Sequence, residues 1–130
     1  MADLFGNDVI ASGSTTIAGP CPMIVRSATF RGPEYRITLS RKWSDQPMAC
    51  VIGHNPSAAG GVADDPTSRW WNRWFQYYGF GGYVAVNLYP DITSAPSDVY
   101  RRLAQFSSEA WDAREEVNLP AVVAAARAAK

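Results

Sequence analysis

The sequence is short of the residues that build most catalytic centres. It holds one histidine, His54, and two cysteines, Cys21 and Cys50. That count excludes metal centres built on several Cys and His ligands, and no metal or cofactor is expected. Any Ser-His-Asp or Cys-His device would have to use His54. Neither sign of charge is in excess: 12 basic and 12 acidic side chains cancel. A polycationic nucleic-acid coat and an acidic solvating tail are therefore excluded, although a local basic face is not. No run approaches about 18 uninterrupted apolar residues, so no membrane span is expected. The first residues have neither a basic start nor an apolar core, so no secretory signal is read there. A cytoplasmic protein with reduced thiols is expected, with Cys50 a small hydrophobe in an apolar run.

What is present suits one globular domain. The chain has 130 residues, of which 47% are hydrophobic, within the range of single domains. Residues 1–22 are rich in Gly, Ser, Thr and Ala without periodicity and read as an irregular arm. Residues 23–130 read as a single α/β domain. Residues 23–30 and 35–40 suit two strands, joined by the turn Arg31-Gly32-Pro33-Glu34. In the second, Tyr35, Ile37 and Leu39 alternate with Arg36, Thr38 and Ser40, the pattern of an antiparallel hairpin with one wet face. Residues 48–53 and 83–88 are continuous apolar runs, expected as strands buried on both faces.

Between those runs the pattern is helical. Asp65 suits an N-cap, Pro66 the first helical position and Gly79 the left-handed stop. Trp70, Trp71, Trp74, Phe75 and Tyr78 fall on one helical face, which reads as core. Strand, helix and strand in this order predict a right-handed crossover between parallel strands. A second helix is expected over about 96–106, capped by Ser94 or Ser97. A third is expected from about 119, capped by Asn118. The fold expected is a parallel-sheet α/β/α sandwich with an N-terminal antiparallel hairpin. The last helix reads as a crossover whose next strand is missing, so a shortened domain is expected.

Ligands of open parallel sheets bind beyond the carboxyl ends of the strands. Two segments arrive there, Gly53 to Thr67 and Asn87 to Thr93. The first is a glycine-containing loop running into a helix N-terminus, suited to an anion or a polarised carbonyl. It lacks the Gly-Lys-Ser/Thr ending of a P-loop. Asn55 can orient a water or bond a base edge, or simply cap the local turn. Asp64 can activate water or bind a metal jointly with Asp65, while Asp65 is needed as the helix cap. Arg69 could reach back to a phosphate or stay solvated. His54 and Asn55 leave a strand end in succession and so need not share a pocket; a packed, hydrogen-bonded His54 is the simpler reading. Arg26, Arg31, Arg36, Arg41 and Lys42 could form a phosphate-contacting edge, but solvated edge charge is the simpler reading. Trp43, Tyr77 and Tyr89 are the candidate exposed stacking surfaces.

The blocks Tyr35-Arg36-x-x-Leu39-x-Arg41-x-Trp43, Asn55-Pro56-Ser57-x-Ala59, Asp64-Asp65-Pro66-Thr67-x-Arg69, Gly79-Phe80-Gly81-Gly82 and Val86-Asn87-Leu88 resemble the bacterial and phage family called domain of unknown function 1643, over about residues 24 to 128. This resemblance implies no particular activity. His54 departs from it, since an apolar residue usually precedes the Asn. A fainter resemblance rests on Gly53-x-Asn55-Pro56, Arg69-Trp70-Trp71, Tyr78-Gly79-Phe80 and Val86-Asn87-Leu88. These are similar to the start of the mismatch-specific uracil-DNA glycosylases. That likeness implies the glycosylase fold without its last strands, base flipping, and Asn55 as the residue that positions a hydrolytic water. No counterpart of the glycosylases' late base-contacting loop is found.

Together these readings give a nucleotide-, nucleobase- or nucleic-acid-binding protein, with hydrolysis of an N-glycosidic bond as its chemistry. Asn55 and Asp64 are the candidate catalytic residues. Gly53, His54, Pro56, Ser57, Asp65, Thr67, Arg69 and Asn87 are the candidate ligand-binding residues. The alternative is a non-catalytic interaction protein or an inactive remnant, whose open sheet edge a partner or a second copy covers.

Overall fold

The computed structural model describes residues 23–129. The N-terminal arm and Cys21 lie outside the described residues. Two strands, β1 (Val25–Arg31) and β2 (Tyr35–Lys42), form the hairpin read from the sequence, with Gly32 at φ 65° in its turn. Then follow β3 (Met48–Gly53), α1 (Pro66–Tyr77), β4 (Gly82–Asn87), α2 (Pro96–Leu103) and α3 (Ser108–Ala128).

The sheet is mixed rather than parallel. Its order is β1-β2-β4-β3, and only β3 and β4 run parallel. The hairpin inserts β2 beside β4, antiparallel, with Leu39 opposite Ala85 and Arg41 opposite Tyr83. This corrects two expectations. The central strand is β4, nearly all buried, whereas β3 is an edge whose Ile52 is 50% exposed. An unbroken apolar run does not distinguish a central strand from an edge strand covered by helices.

The alternation expected in β2 holds from Thr38 onward but breaks at Arg36 and Ile37, for a local reason. The β1–β2 register slips between Thr29 and Phe30, leaving Ile37 as the extra residue of a bulge. Beyond the bulge Arg36 comes to the same side as Leu39 and Arg41, and all three meet the loop after β3. The wet face survives at Thr38 and Ser40, with the Thr29–Thr38 hydroxyl pair exposed, but Arg36, expected there, is buried with Arg41.

Helix α1 begins as the sequence requires. The Asp65 carboxylate accepts from Ser68 N at 2.8 Å and Ser68 Oγ accepts from Asp65 N at 3.0 Å, a reciprocal capping box behind Pro66. Gly79, at φ 84°, ends it. The face it buries is rotated from the expected one. Ser68, Asn72 and Phe75 are buried with Trp71 beside them, while Trp70 stacks on Trp74 and Tyr78 is exposed. The rotation follows from polar work on the inward face, described below. Leu39, Ala59, Phe75, Tyr83 and Ala85 form the core there. Trp43, expected as a stacking surface, instead packs on Tyr83 and donates Nε1–H to the Phe80 carbonyl at 2.8 Å.

Val86 points to the opposite face and is fully buried; α3, which crosses β4, β3 and β2, covers that face. The expected caps of the last two helices are wrong. Helix α2 has Ala95 at its N-cap, and Thr93 and Asp98 close its first turn instead of Ser94 or Ser97. Helix α3 starts at Ser108, capped by Ser107, and runs through Pro120. Asn118, expected as a cap, lies buried in its interior and donates to the Asn87 carbonyl at 2.9 Å. Pro120 is tolerated because it sits on the outer face, and the turn before it is held by Asn118 and by the buried Arg114–Asp91 ion pair. Among the described residues no helix is long and apolar enough to cross a membrane.

The one carboxylate that ties hairpin, loop and helix together is Asp64. Arg26 donates to it from Nε at 3.0 Å and Nη2 at 2.8 Å, Arg41 from Nε at 2.8 Å, Ser68 Oγ at 3.0 Å and Asn72 Nδ2 at 3.2 Å. Burial alone would raise its pKa, but the hydrogen bonds from Arg26 and Arg41, the Arg41 charge and Ser68 outweigh it, and the pKa is lowered. Replacing Asp64 by Ala leaves the fully buried Arg41 without its counter-charge. The expected loss is about 3–5 kcal/mol, read as a lower urea midpoint with an unchanged slope. Because the folded-state pKa lies below the unfolded one, the stabilisation is complete above the ordinary carboxylate range and is lost as pH falls through the folded value. Stability should therefore fall on acidification, and Asp64→Asn should flatten that part of the pH profile.

Candidate functional site

The carboxyl ends of β3 and β4 lie side by side, with Gly53 opposite Asn87 in the parallel register. The turns beyond them are joined by backbone bonds. Leu88 N donates to the Gly53 carbonyl at 3.0 Å, Tyr89 N to His54 O at 2.9 Å and Thr93 N to Pro56 O at 3.2 Å. The loop then folds back over the sheet toward β2. Arg36 Nη1 donates to Ala59 O at 2.7 Å, and Arg41 Nη2 to Gly60 O at 2.8 Å and Ala63 O at 3.2 Å. Three hairpin arginines, Arg26, Arg36 and Arg41, thus hold this loop from beneath. They are not solvated edge charge: Arg36 and Arg41 are buried, and Arg26 is bonded to Asp64.

The candidate residues fall into two groups. Gly53, His54, Asn55, Pro56 and Asn87 gather at the strand ends. Ser57, Asp64 and Asp65 belong to the returning arm of the loop, where Ser57 Oγ donates to Asp65 and Ala59 N donates to it at 3.3 Å. Burial raises the Asp65 pKa, but bonds from Ser57, Ser68 and Ala59 prevail and lower it. Arg69 is exposed and donates to the Asp64 carbonyl at 3.0 Å. Thr67 is exposed on the first turn of α1. Arg36, beneath this arm, has its pKa lowered by burial against the opposing pull of Asp65.

At the strand ends, the Asn55 side chain is fully engaged. Its Nδ2 donates to Thr93 O at 2.7 Å and Pro56 O at 3.3 Å, and its Oδ1 lies 2.8 Å from His54 Nδ1. Two carbonyl acceptors fix the amide nitrogen, so the oxygen faces His54 and His54 Nδ1 carries the proton. The two neighbours touch despite leaving a strand end in succession, because the chain turns immediately after Gly53. His54 Nε2 in turn meets the Tyr100 hydroxyl at 2.8 Å, and its ring packs on Tyr89 and Tyr100. Tyr100 and Thr93 were missed in the sequence because nothing about α2 or its leading turn indicates where they dock.

Asn87 differs from Asn55. It is 5% exposed, and among the described residues its side-chain amide has no hydrogen-bond partner. Its Oδ1 lies against the Gly53 backbone, so that a Cβ built on Gly53 would stand 2.7 Å from it. On neighbouring β2, buried Arg36 Nε also lacks a partner. Among the described residues no group of three or more His, Cys, Asp or Glu side chains could hold a metal ion.

A family model described as protein of unknown function (DUF1643) matches residues 36–128, well over half of the chain. The chain belongs to the DUF1643 family. The match runs from Arg36 in β2 to the end of α3, so the strand ends, the returning loop, Asp64 and the Asp91–Arg114 pair lie within the family's shared region. No curated protein and no solved structure gives a significant match. The family description carries no activity.

The Gly53–Asn87 contact makes a double-mutant test. Gly53→Ala should destabilise by about 1–3 kcal/mol, because the new methyl and the Asn87 oxygen cannot share the space. In an Asn87→Ala background the next atom is about 4 Å from the new Cβ, and the same substitution should cost nothing or stabilise by a few tenths of a kcal/mol. Urea unfolding of the four proteins in the cycle checks this; strict additivity would show that Asn87 does not point at Gly53.

Proposed function

We propose that the protein binds a nucleotide or nucleobase at the carboxyl ends of β3 and β4, with the Asn87 amide reading the edge of the base. The observation that supports this is the unpartnered Asn87 amide. The residue is only 5% exposed, yet its amide keeps contact with solvent and can meet a ligand without breaking a protein hydrogen bond. A carboxamide offers one donor and one acceptor side by side, the pattern of a base edge. Its place at the end of a strand of a parallel pair is where ligands of such sheets bind. Gly53 leaves the room that Asn87 occupies, and Arg36 Nε supplies a second uncommitted donor on the neighbouring strand.

Hydrolysis of an N-glycosidic bond, the activity implied by the glycosylase likeness, has less support in this geometry. In that likeness Asn55 holds the water. Here its amide is committed to Thr93, Pro56 and His54, and the Asp64 carboxylate is surrounded by donors that hold it ionised. Binding without hydrolysis is the reading carried forward. A second reading keeps its own observation: β3 is an edge with Ile52 half exposed, a place where a partner or a second copy could add a strand.

Thermal unfolding in the presence of bases, nucleosides and nucleotides tests the first reading. A ligand at 100 times its dissociation constant should add about 2.7 kcal/mol. Asn87→Ala should abolish that gain while leaving the unliganded melting temperature nearly unchanged, because no protein hydrogen bond is lost. If no compound stabilises the wild type, or if Asn87→Ala responds equally, the reading fails. Light scattering then decides the second, which requires a dimer or larger assembly.

A further inference from the structure

Outside the Asn87 site, the opposite side of the same strand ends carries an arrangement that ligand binding does not use. Tyr100, on α2, is 55% exposed and its hydroxyl is 2.8 Å from His54 Nε2. The orientation of the Asn55 amide places the proton on His54 Nδ1, so Nε2 presents its lone pair to the phenol. The order is hydroxyl, imidazole and a third group that fixes the imidazole tautomer, which is the general logic of an activated nucleophile. Phenols are mostly protonated near neutral pH and need such a base to attack.

We propose that Tyr100 is a nucleophile activated by His54, with Asn55 as the positioning residue, and that its substrate is a neutral acyl donor such as an activated ester. The choice of a neutral electrophile follows from the charges nearby. Arg101 pairs with Asp98, Arg102 lies near Asp91, and Arg114 pairs with Asp91 and Glu115. Each of these three guanidiniums faces a carboxylate, so among the described residues none of them is left uncommitted for a phosphate. The groups touching the His54 ring are uncharged: Asn55, Tyr89 and Tyr100.

In the first step Tyr100 Oη bonds to the acyl carbon and its proton passes to His54 Nε2. The carbon–oxygen bond to the leaving group then breaks, and the leaving alkoxide takes the proton from His54. In the second step water gives its proton to the same nitrogen and attacks the acyl-tyrosine. The tyrosine departs with that proton, and a carboxylic acid is released. This proposal does not rest on the nucleotide reading, because neither Asn87 nor Arg36 takes part.

The test is reaction of the full chain with 4-nitrophenyl acetate, followed by release of nitrophenolate and by peptide mass spectrometry. Tyr77 and Tyr78 serve as internal standards, since they are 51% and 56% exposed and have no histidine contact. Tyr100 should be acetylated about 100-fold faster than either. Tyr100→Phe, which keeps the ring packing, should abolish the burst. His54→Gln should bring Tyr100 to the rate of Tyr77 and remove the step in the pH–rate profile that reports imidazole deprotonation. Asn55→Ala should shift that step as well as lower the rate, a change that loss of packing alone would not produce. Equal acetylation of the three tyrosines in the wild type overturns the proposal. So does a burst that survives in Tyr100→Phe, with the acetyl group passing through His54. The comparison within the wild-type protein decides the matter even if a variant does not fold.

Discussion

The Asp64 carboxylate is the constraint on which the rest of the structure depends. It sits where three separate pieces of chain meet and receives donors from β1, β2 and α1. Four side chains with five donor atoms satisfy its oxygens, so a charge that would be costly to bury becomes a joint. The same arginine that pairs with it, Arg41, also takes two carbonyls of the loop. Those carbonyls have no strand or helix to pair with, and an arginine fork satisfies them without one. The inward face of α1 follows from this. Ser68 and Asn72 point to the sheet because Asp64 and Tyr83 need them, with the Tyr83 hydroxyl donating to Asn72 Oδ1 at 3.0 Å. Trp70 stacks on Trp74, which lies at the margin of the core against Phe75. Trp71 and Trp74 still pack against the core, as apolar periodicity requires, while the polar cluster takes the centre of the inward face.

Local signals in the sequence were reliable where the chain decides its own conformation. Asp65-Pro66 starts a helix and Gly79 stops one through bonds and dihedrals confined to a few residues, and both were legible. So were the hairpin and the parallel β3–β4 pair, which rest on turn chemistry and on the length of the crossover. What was not legible depends on partners distant in the chain. The place of β2 beside β4 is set by packing between elements about 45 residues apart. The bulge at Ile37 turns Arg36 inward, and no residue in YRITLS announces it. Helix α3, expected from about 119, begins at Ser108 and carries Pro120 in its interior. The position of the helix depends on Arg114 and Asn118 binding groups on the β4 side of the molecule.

The candidate site shows the same division. The loop from Gly53 to Thr67 and the strand end at Asn87 were identifiable from their position after apolar runs. Which amide stays uncommitted was not. Asn55 and Asn87 are both asparagines at the carboxyl end of a strand, and only the docking of the 91–95 turn distinguishes them. That turn presents the Thr93 carbonyl to Asn55, while Asn87 receives nothing on its side chain and uses its backbone carbonyl to hold Asn118. One asparagine therefore braces two turns against each other, and the other is held in place by its backbone with its amide open.

The two polar anchors stand on opposite faces of the sheet. Asp64 fixes the loop and α1 on one side; Asp91, bonded to Arg114, fixes α3 on the other. Arg114 is further enclosed by the rings of Tyr35, Tyr89 and Trp111, within 5.5–6.0 Å of its guanidinium carbon. Tyr35 responds to this setting: burial raises its pKa first, Asp91 raises it further, and Arg114 partly offsets both. Between the anchors lie the ends of β3 and β4, joined by three backbone bonds. Both corners are thus braced from outside, and the Asn55 side chain ties them together through the Thr93 carbonyl. A site held in this way needs no reorganisation to receive a ligand, since the cost of ordering its loops was met on folding. The same bracing limits motion of Asn55, which would have to release Thr93 before it could direct a water. Rigidity at the strand ends favours recognition through Asn87 over a reaction that depends on Asn55 changing partners.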